Sequence, residues 1–231
     1  SNVTRWGWER VCPVLGRNCR SGDLGILGSM TERTPRLADP GLIGLLGFVI
    51  ATLTAQLEHL GLQNESPVFW VGAVFGGVVQ VTAGMLSYFA GDDFHFIVYN
   101  AFGWYWICMP GFLLGGELGF FEVEGPARGV FTLMFAILAL VFALSAASRN
   151  TVLPVTLLAV AAGLGLQTVT AFGSPATVGA AGSVAPLLAS ALAAYMLLEK
   201  FYARTLGRSI LPLGPAWFRL ASPVSIQAHT V

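Results

Sequence analysis

The sequence predicts an all-α membrane protein with six transmembrane helices. Of its 231 residues, 55% are hydrophobic and only 10% are charged, and the mean hydropathy is +0.72. Soluble domains carry about 25% charged residues, so this chain lacks the solvated side chains that a water-exposed surface needs. Six apolar runs each approach the ~20 residues that a helix needs to cross a bilayer. The lipid bilayer is therefore the expected surroundings of this chain.

The first predicted span begins at an Asp-Pro pair. Asp39 can accept hydrogen bonds from the free N–H groups of a helix start, and Pro40 suits the first helical turn because it lacks an N–H. The later spans follow after short connections rich in turn-forming residues, so neighbouring helices alternate in direction. The six predicted spans are Leu42–Leu60, Val68–Ala90, Phe96–Gly116, Gly129–Ala147, Val152–Ala171 and Val178–Phe201.

The spans divide the chain into a membrane domain and two tails. We expect residues 39–203 to form the transmembrane domain, after an N-terminal tail (1–38) and before a cytoplasmic C-terminal tail (204–231). Residues 1–29 have neither the long apolar core nor the cleavage site of a signal peptide. Because they end just before Met30, we expect this part of the disordered tail to be a non-native addition.

Basic residues predict the orientation of the chain. Six arginines precede the first span, and Lys200, Arg204, Arg208 and Arg219 lie at or after the last one. Lys and Arg concentrate on the cytoplasmic side of membrane proteins, so both termini are expected in the cytoplasm.

Several classes of function are disfavoured by composition and motifs. A net charge of zero gives no sign of nucleic-acid binding. The three cysteines, Cys12, Cys19 and Cys108, form no ligand pair, and their odd number argues against a disulfide framework and a metal site. No catalytic triad order, zinc-protease motif or nucleotide loop is found. We expect neither an enzyme nor a bound cofactor or metal.

Glycines recur at helical spacing in the first two spans. Close approach over small residues is a main source of helix association in lipid, and glycines four residues apart share one helix face. Packing of neighbouring helices is thus predicted at Gly44, Gly47, Gly72, Gly76 and Gly84.

Three amide side chains within the spans need another explanation. Gln56, Gln80 and Asn100 require hydrogen-bond partners in the bilayer, and intramembrane polar groups tend to face the bundle interior or a cavity. Two interpretations stay open for them: satisfied polar groups in the helix packing, or the polar lining of a solute pathway. Asn100 is notable because its amide both donates and accepts hydrogen bonds.

Three stretches of the sequence resemble the acetate uptake transporters, also called succinate–acetate permeases. DPGLIGLLGF (39–48) resembles the family signature NPAPLGLxGF. GAVFGGVVQVTAGMLSYFAGDDF (72–94) is similar to GxFYGGxxQxxAGxxEYxxGNTF, and YMLLEKFYARTLGRSILPLG (195–214) is similar to the terminal GRxxLPxG. The three matches occur in the family's order and spacing.

This resemblance implies a six-span plasma-membrane protein, usually a homohexamer with a separate pathway through each protomer. It implies transport of acetate and related short-chain monocarboxylates, coupled to protons in some members and channel-like in others. Phe48 and Phe102, with Leu158 or Val160 of the fifth span, correspond to the family's apolar constriction.

The resemblance also implies roles for two further residues. Gln80 matches a conserved Gln, and Ala193 matches a small residue that affects substrate size. As a separate hypothesis, we expect Asp39 and Pro40 to start the first span at the cytoplasmic entrance of the pathway.

Departures from the family pattern keep alternatives open. Asp39 replaces Asn, and an ionised carboxylate favoured by a helix start would repel an entering anion. Ser87 replaces a Glu, which removes one carboxylate for proton coupling. A channel for a small neutral solute, such as acetic acid, urea or an amide, is therefore the main alternative. A membrane sensor or structural protein is a further one, disfavoured because the chain outside the spans is too short for a signalling domain.

Overall fold

The computed structural model describes residues 38–62, 64–173 and 176–218, and these contain six helical segments long and apolar enough to cross a membrane. The prediction of an all-α, six-span protein is confirmed. The elements are α1 (Pro40–His59), α2 (Glu65–Val71), a π-helical segment (Gly72–Val79), α3 (Gln80–Phe89), α4 (Asp93–Glu117), α5 (Gly125–Ala146), α6 (Val152–Ala171) and α7 (Ala176–Leu206). The predictions for residues 1–37 and 219–231 lie outside the described residues.

The second span is made of three elements joined end to end. α2, the π-helical segment and α3 run on from one another, where the sequence predicted one regular helix. A π-helix pairs each N–H with a carbonyl five residues earlier, and such turns are frequent at functional sites. Gly72, Gly76 and Gly77 are buried in this segment. The hydrophobic pattern could not reveal the π geometry, because the same apolar run suits both kinds of helix.

The spans pack in a closed circle in chain order, and α7 completes it by contacting α1. Between α4 and α5, aromatic side chains fill the interface. The rings of Tyr105 and Phe131 stack with centroids 5.5 Å apart, and Phe102 lies 6.3 Å from Phe135. These side chains belong to the main apolar core.

The alternating direction of the spans defines two faces of the bundle. The termini face holds the start of α1, the end of α7 and the turns before α4 and α6. The far face holds the turns after α1, α4 and α6. These two names are used for the cavities below.

The glycines of α1 allow close contact with two other elements. A Cβ atom built at Gly44 would overlap the ring of Tyr99 in α4. One at Gly47 would overlap the carbonyl oxygen of Phe75 in the π-helical segment. α1 is therefore held against both the second span and α4 at positions that admit no side chain.

The glycines of the π-helical segment contact an aromatic ring of α4. A Cβ at Gly76 would overlap the indole of Trp106, and one at Gly72 would lie 3.1 Å from the same indole. Only glycine permits this close contact between the second span and α4.

The segment after α7 packs back onto the termini face. The carbonyl oxygen of Leu213 accepts hydrogen bonds from the N–H groups of Thr151 (3.1 Å) and Val152 (3.2 Å). The N–H of Trp217 donates to the carbonyl of Ala147 at 2.8 Å. Residues 207–218, predicted to be part of a tail, are therefore joined to the turn before α6.

Candidate functional site

Two cavities enter the bundle from its two faces. The far-face cavity has a volume of about 340 Å³, and the termini-face cavity has a volume of about 520 Å³. Three apolar residues, Phe48, Phe102 and Val160, line both cavities. We call these three residues the neck, because the two cavities meet there.

Each residue of the neck comes from a different span. Phe48 lies on α1, Phe102 on α4 and Val160 on α6. Phe102 is 5% exposed and Val160 is 9% exposed. The ring of Phe102 is also supported by Phe142, with centroids 6.2 Å apart. The neck is thus held by core packing rather than by loops.

The structure distinguishes the two residues of α6 predicted for this position. Leu158 lines neither cavity, and it is 40% exposed on the outside of the bundle. Side chains two positions apart in an α-helix point about 200° away from each other. Val160 therefore faces the bundle interior when Leu158 faces outward. The prediction of Leu158 is therefore corrected in favour of Val160.

One glutamine lies on each side of the neck. Gln56 lines the far-face cavity and Gln80 lines the termini-face cavity, with exposures of 3% and 1%. The Nε2 of Gln80 donates to the carbonyl of Gly44 at 3.4 Å. Neither Oε1 atom has a hydrogen-bond partner among the described residues. Each Oε1 therefore stays available as an acceptor at the wall of its cavity.

Asn100 does not take part in the cavities. It lines neither of them, and its Nδ2 donates to the carbonyl of Phe96 in its own helix at 2.7 Å. Its amide lies against Gly84 of α3, where a Cβ would overlap it. The prediction of Asn100 as pathway lining is corrected: it fills the space that Gly84 leaves between α3 and α4.

Two of the remaining predicted positions, Ala193 and Pro40, lie toward the termini face. Ala193 is fully buried and lines the termini-face cavity, next to Leu45 and Met196. Pro40 is the first residue of α1, as predicted. Asp39 falls outside the compact unit that starts at Pro40. The entrance role predicted for the Asp39–Pro40 pair therefore stays a prediction.

Charged residues at the termini face are the part of the site that sequence reasoning missed. Asp92, His95, Arg149 and Lys200 all line the termini-face cavity. They come from the start of α4, the turn before α6 and the end of α7, so no local pattern joins all four. The Asp-x-x-His spacing at the start of the third span was the available signal, because a helix-capping Asp faces the residue three positions later.

Asp92 is the centre of this cluster. One carboxylate oxygen lies 2.5 Å from Nδ1 of His95. The other accepts from the backbone N–H of His95 and from Nη2 of Arg149, both at 3.2 Å. Burial alone would raise the pKa of Asp92, but the hydrogen bonds from His95 and the charges of His95 and Arg149 lower it to about 2. The carboxylate is therefore ionised at neutral pH.

Comparison with known proteins gives the family. Residues 27–213 match the model of the GPR1/FUN34/yaaH family. The chain belongs to this family. The resemblance predicted from three sequence motifs is thereby confirmed, and the matched region contains all six spans.

The relatives of this chain include transport proteins. The succinate–acetate/proton symporter SatP of Escherichia coli (strain K12) is 25% identical over 182 residues, which cover 78% of this chain and 96% of that protein. The ammonia transport outward protein 3 of Saccharomyces cerevisiae is 29% identical over 85 residues, or 35% of this chain and 31% of that protein. The solved structure of the bacterial acetate channel SatP superposes with a TM-score of 0.75 at 23% identity, covering 78% of this chain and all of that one. This structural match supports the same six-span fold.

Proposed function

We propose that the chain is a membrane transporter or channel for acetate and related short-chain monocarboxylates. The observation that carries the proposal is the pair of cavities that open from opposite faces and share only the neck residues Phe48, Phe102 and Val160. Relatives named as an acetate channel and a succinate–acetate/proton symporter support the substrate class.

The chemistry of the neck fits a small carboxylic acid. Its three apolar side chains can contact a methyl group, while an unpaired charge among them would cost several kcal/mol. A proton bound transiently to the carboxylate would reduce that cost. Gln56 and Gln80, one on each side, supply amide groups that replace part of the solvation lost at the neck.

The same proposal includes the orientation and the assembly of the chain. Of the five Lys and Arg residues within the described ranges, four lie at the termini face, and Arg128 alone lies toward the far face. By the distribution of positive charge, the termini face is cytoplasmic. We place the protein in the plasma membrane as a homohexamer that carries one pathway in each protomer and catalyses no reaction.

A channel for a small neutral solute is the second candidate, and two observations favour it. The buried Oε1 atoms of Gln56 and Gln80 accept no hydrogen bond from the described part of the chain, so they suit a permeant that donates one, such as acetic acid, urea or an amide. Ser87, at the position where the family pattern has Glu, donates its hydroxyl to the carbonyl of Ala83 at 2.8 Å. It offers no carboxylate for carrying a proton.

Transport by the purified chain in liposomes tests the proposal. Labelled acetate uptake is followed once under an imposed pH gradient and once under an imposed voltage at equal pH, against protein-free liposomes. Accumulation driven by the pH gradient supports passage of acetate together with a proton, either as proton-coupled carboxylate or as neutral acetic acid, and a response to voltage alone supports an anion channel. Uptake of urea or acetamide without acetate uptake contradicts the first candidate and supports the second.

A matched pair of variants connects any uptake to the neck. Val160→Phe enlarges the side chain at the neck and is expected to abolish most of the flux. Leu158→Phe makes the same enlargement on the exposed side of α6 and is expected to leave the flux unchanged. Equal flux through both variants would contradict passage at the neck.

A further inference from the structure

The termini-face cavity combines an apolar wall with a cluster of charged residues. Most of its lining is apolar, but Asp92, His95, Arg149 and Lys200 contribute to it from three separate elements. Glu199 lines the cavity as well, beside Lys200 near the end of α7. A small carboxylate in this cavity would therefore meet both positive and negative side chains, and their contacts decide which of them can bind it.

The contacts of Asp92 show that this cluster already holds a carboxylate. Its oxygens are bound by Nδ1 and the backbone N–H of His95 and by Nη2 of Arg149, at 2.5, 3.2 and 3.2 Å. Hydrogen bonds to an ionised carboxylate are stronger than bonds between two neutral groups. The donors are thus directed to an anionic oxygen pair at this end of the cavity.

Arg149 is positioned to bind a second carboxylate. A guanidinium carries five N–H donors, and its hydrogen bond within the described ranges is the one to Asp92. The guanidinium carbon also lies over the ring of Phe94, 4.6 Å from its centroid, and this contact restrains its position. Its side chain remains 42% exposed, so a solute in the cavity can reach it.

Glu199 also lines the termini-face cavity, but within the described residues Arg149 pairs with Asp92 and not with Glu199. Its Oε1 accepts a hydrogen bond from the hydroxyl of Ser209 at 2.8 Å, which ties it to the segment after α7. Arg149 is bound to Asp92 instead, on the side of α4.

We propose that Arg149 binds the carboxylate of the permeant in the termini-face cavity, with Asp92 as a built-in competitor for Arg149. This inference rests on the proposed transport of small carboxylates and adds a residue-level site to it. His95 is a positioning residue, because it holds Asp92 beside Arg149. Competition between Asp92 and the permeant for Arg149 would set the affinity for the permeant on this side of the pathway.

Sided flux measurements on the full chain test the site. The half-saturation value, which is the acetate concentration that gives half of the maximal flux, is measured separately for acetate added at the termini face and at the far face. Protease access to a C-terminal tag reports the orientation of the protein in the liposomes. Arg149→Gln is expected to raise the termini-face value by up to about fivefold, the upper end for losing one partly exposed charge contact. Arg149→Lys, which keeps the charge, is expected to restore most of the affinity.

The direction in which Asp92→Asn shifts the termini-face half-saturation value decides whether Asp92 competes with the permeant. If Asp92 competes for Arg149, its removal lowers the termini-face half-saturation value, opposite to the effect of Arg149→Gln. Asn also caps helix starts well, so the start of α4 is expected to stay folded. Arg208→Gln is the control, because it removes a positive charge from the same face at a residue that lines neither cavity.

The outcomes separate this site from the proposed function. Opposite shifts for Asp92→Asn and Arg149→Gln, limited to the termini face, support the site. Shifts of both variants in the same direction indicate a merely structural ion pair and overturn the site. Normal acetate flux with unchanged half-saturation in both variants overturns the site but leaves the proposed function standing, whereas a wild-type chain without acetate flux overturns both.

Discussion

Replacing Gly44 by alanine is expected to destabilise the bundle, although alanine is the better helix former. The new Cβ would lie only 2.5 and 2.7 Å from two Cε atoms of the Tyr99 ring, and it would overlap the ring's Cζ as well. Tyr99 is 5% exposed, and its hydroxyl donates to the carbonyl of Gly41 at 3.2 Å. The ring therefore cannot move away without losing both packing and this hydrogen bond.

The magnitude follows from three opposing contributions. Overpacking a buried site costs about 1–3 kcal/mol, and loss of the Tyr99 hydrogen bond costs about 1 kcal/mol. Exchanging glycine for alanine inside a helix returns about 1 kcal/mol. The free energy of unfolding is therefore expected to fall by about 1–3 kcal/mol.

The change in the free energy of unfolding is measured on the purified protein in mild detergent. A denaturing detergent is added stepwise, and circular dichroism follows the loss of helix. Gly165→Ala is the control, because this helical glycine has no atom within 4 Å of a built Cβ. The double variant Gly44→Ala with Tyr99→Ala is expected to lose less than the sum of the single variants, since the overlap is then removed. A Gly44→Ala protein as stable as the wild type would refute the close contact between α1 and α4.

Four other variants test further parts of the structure. Gln80→Leu is expected to lower acetate flux while lowering the free energy of unfolding by no more than about 1 kcal/mol, because the hydrogen bond to Gly44 that it removes contributes about that much; a larger loss of stability would indicate a structural role instead. Ala193→Val is expected to reduce propionate uptake more than acetate uptake, measured by competition, because the added methyl groups narrow the termini-face cavity. The pKa of Asp92 is lowered from 3.8 to about 2, so the stability advantage of the wild type over Asp92→Asn is expected in full at neutral pH and to disappear as pH falls from about 5 to 2. Gly214 has a φ of +76°, so Gly214→Ala is expected to loosen the segment after α7, seen as faster proteolysis there while the spans stay intact.

The six spans were predictable because the bilayer demands a fixed length of apolar helix. The predicted and observed ends differ by a few residues: the third span starts at Asp93, not at Phe96, since polar residues can form the first helical turn outside the hydrocarbon. The π-helical segment was not predictable, because its apolar residues give no signal for five-residue hydrogen bonding.

The neck was only partly predictable. Phe48 and Phe102 followed from motifs of the family, and both line the two cavities. The choice between Leu158 and Val160 could not be made, because α6 is apolar on every side and has no periodic pattern to mark its inner face. Asn100 was misplaced for a related reason: it lies two residues from Phe102, which turns it away from the cavities.

The charged cluster was not predictable as a unit. Asp92 and His95 are close in sequence, but Arg149 and Lys200 join them only when the turn before α6 and the end of α7 meet the start of α4. Such a site depends on tertiary structure, and each charge alone resembles an ordinary residue at the end of a span.

The segment after α7 has a consequence for biosynthesis. Leu213 lines the termini-face cavity, and its carbonyl oxygen binds the turn before α6. Since the ribosome makes Leu213 after all six spans, a nascent chain can insert every span while one wall of this cavity is still missing. The termini-face cavity is therefore complete only when the segment after α7 has been synthesised and has docked.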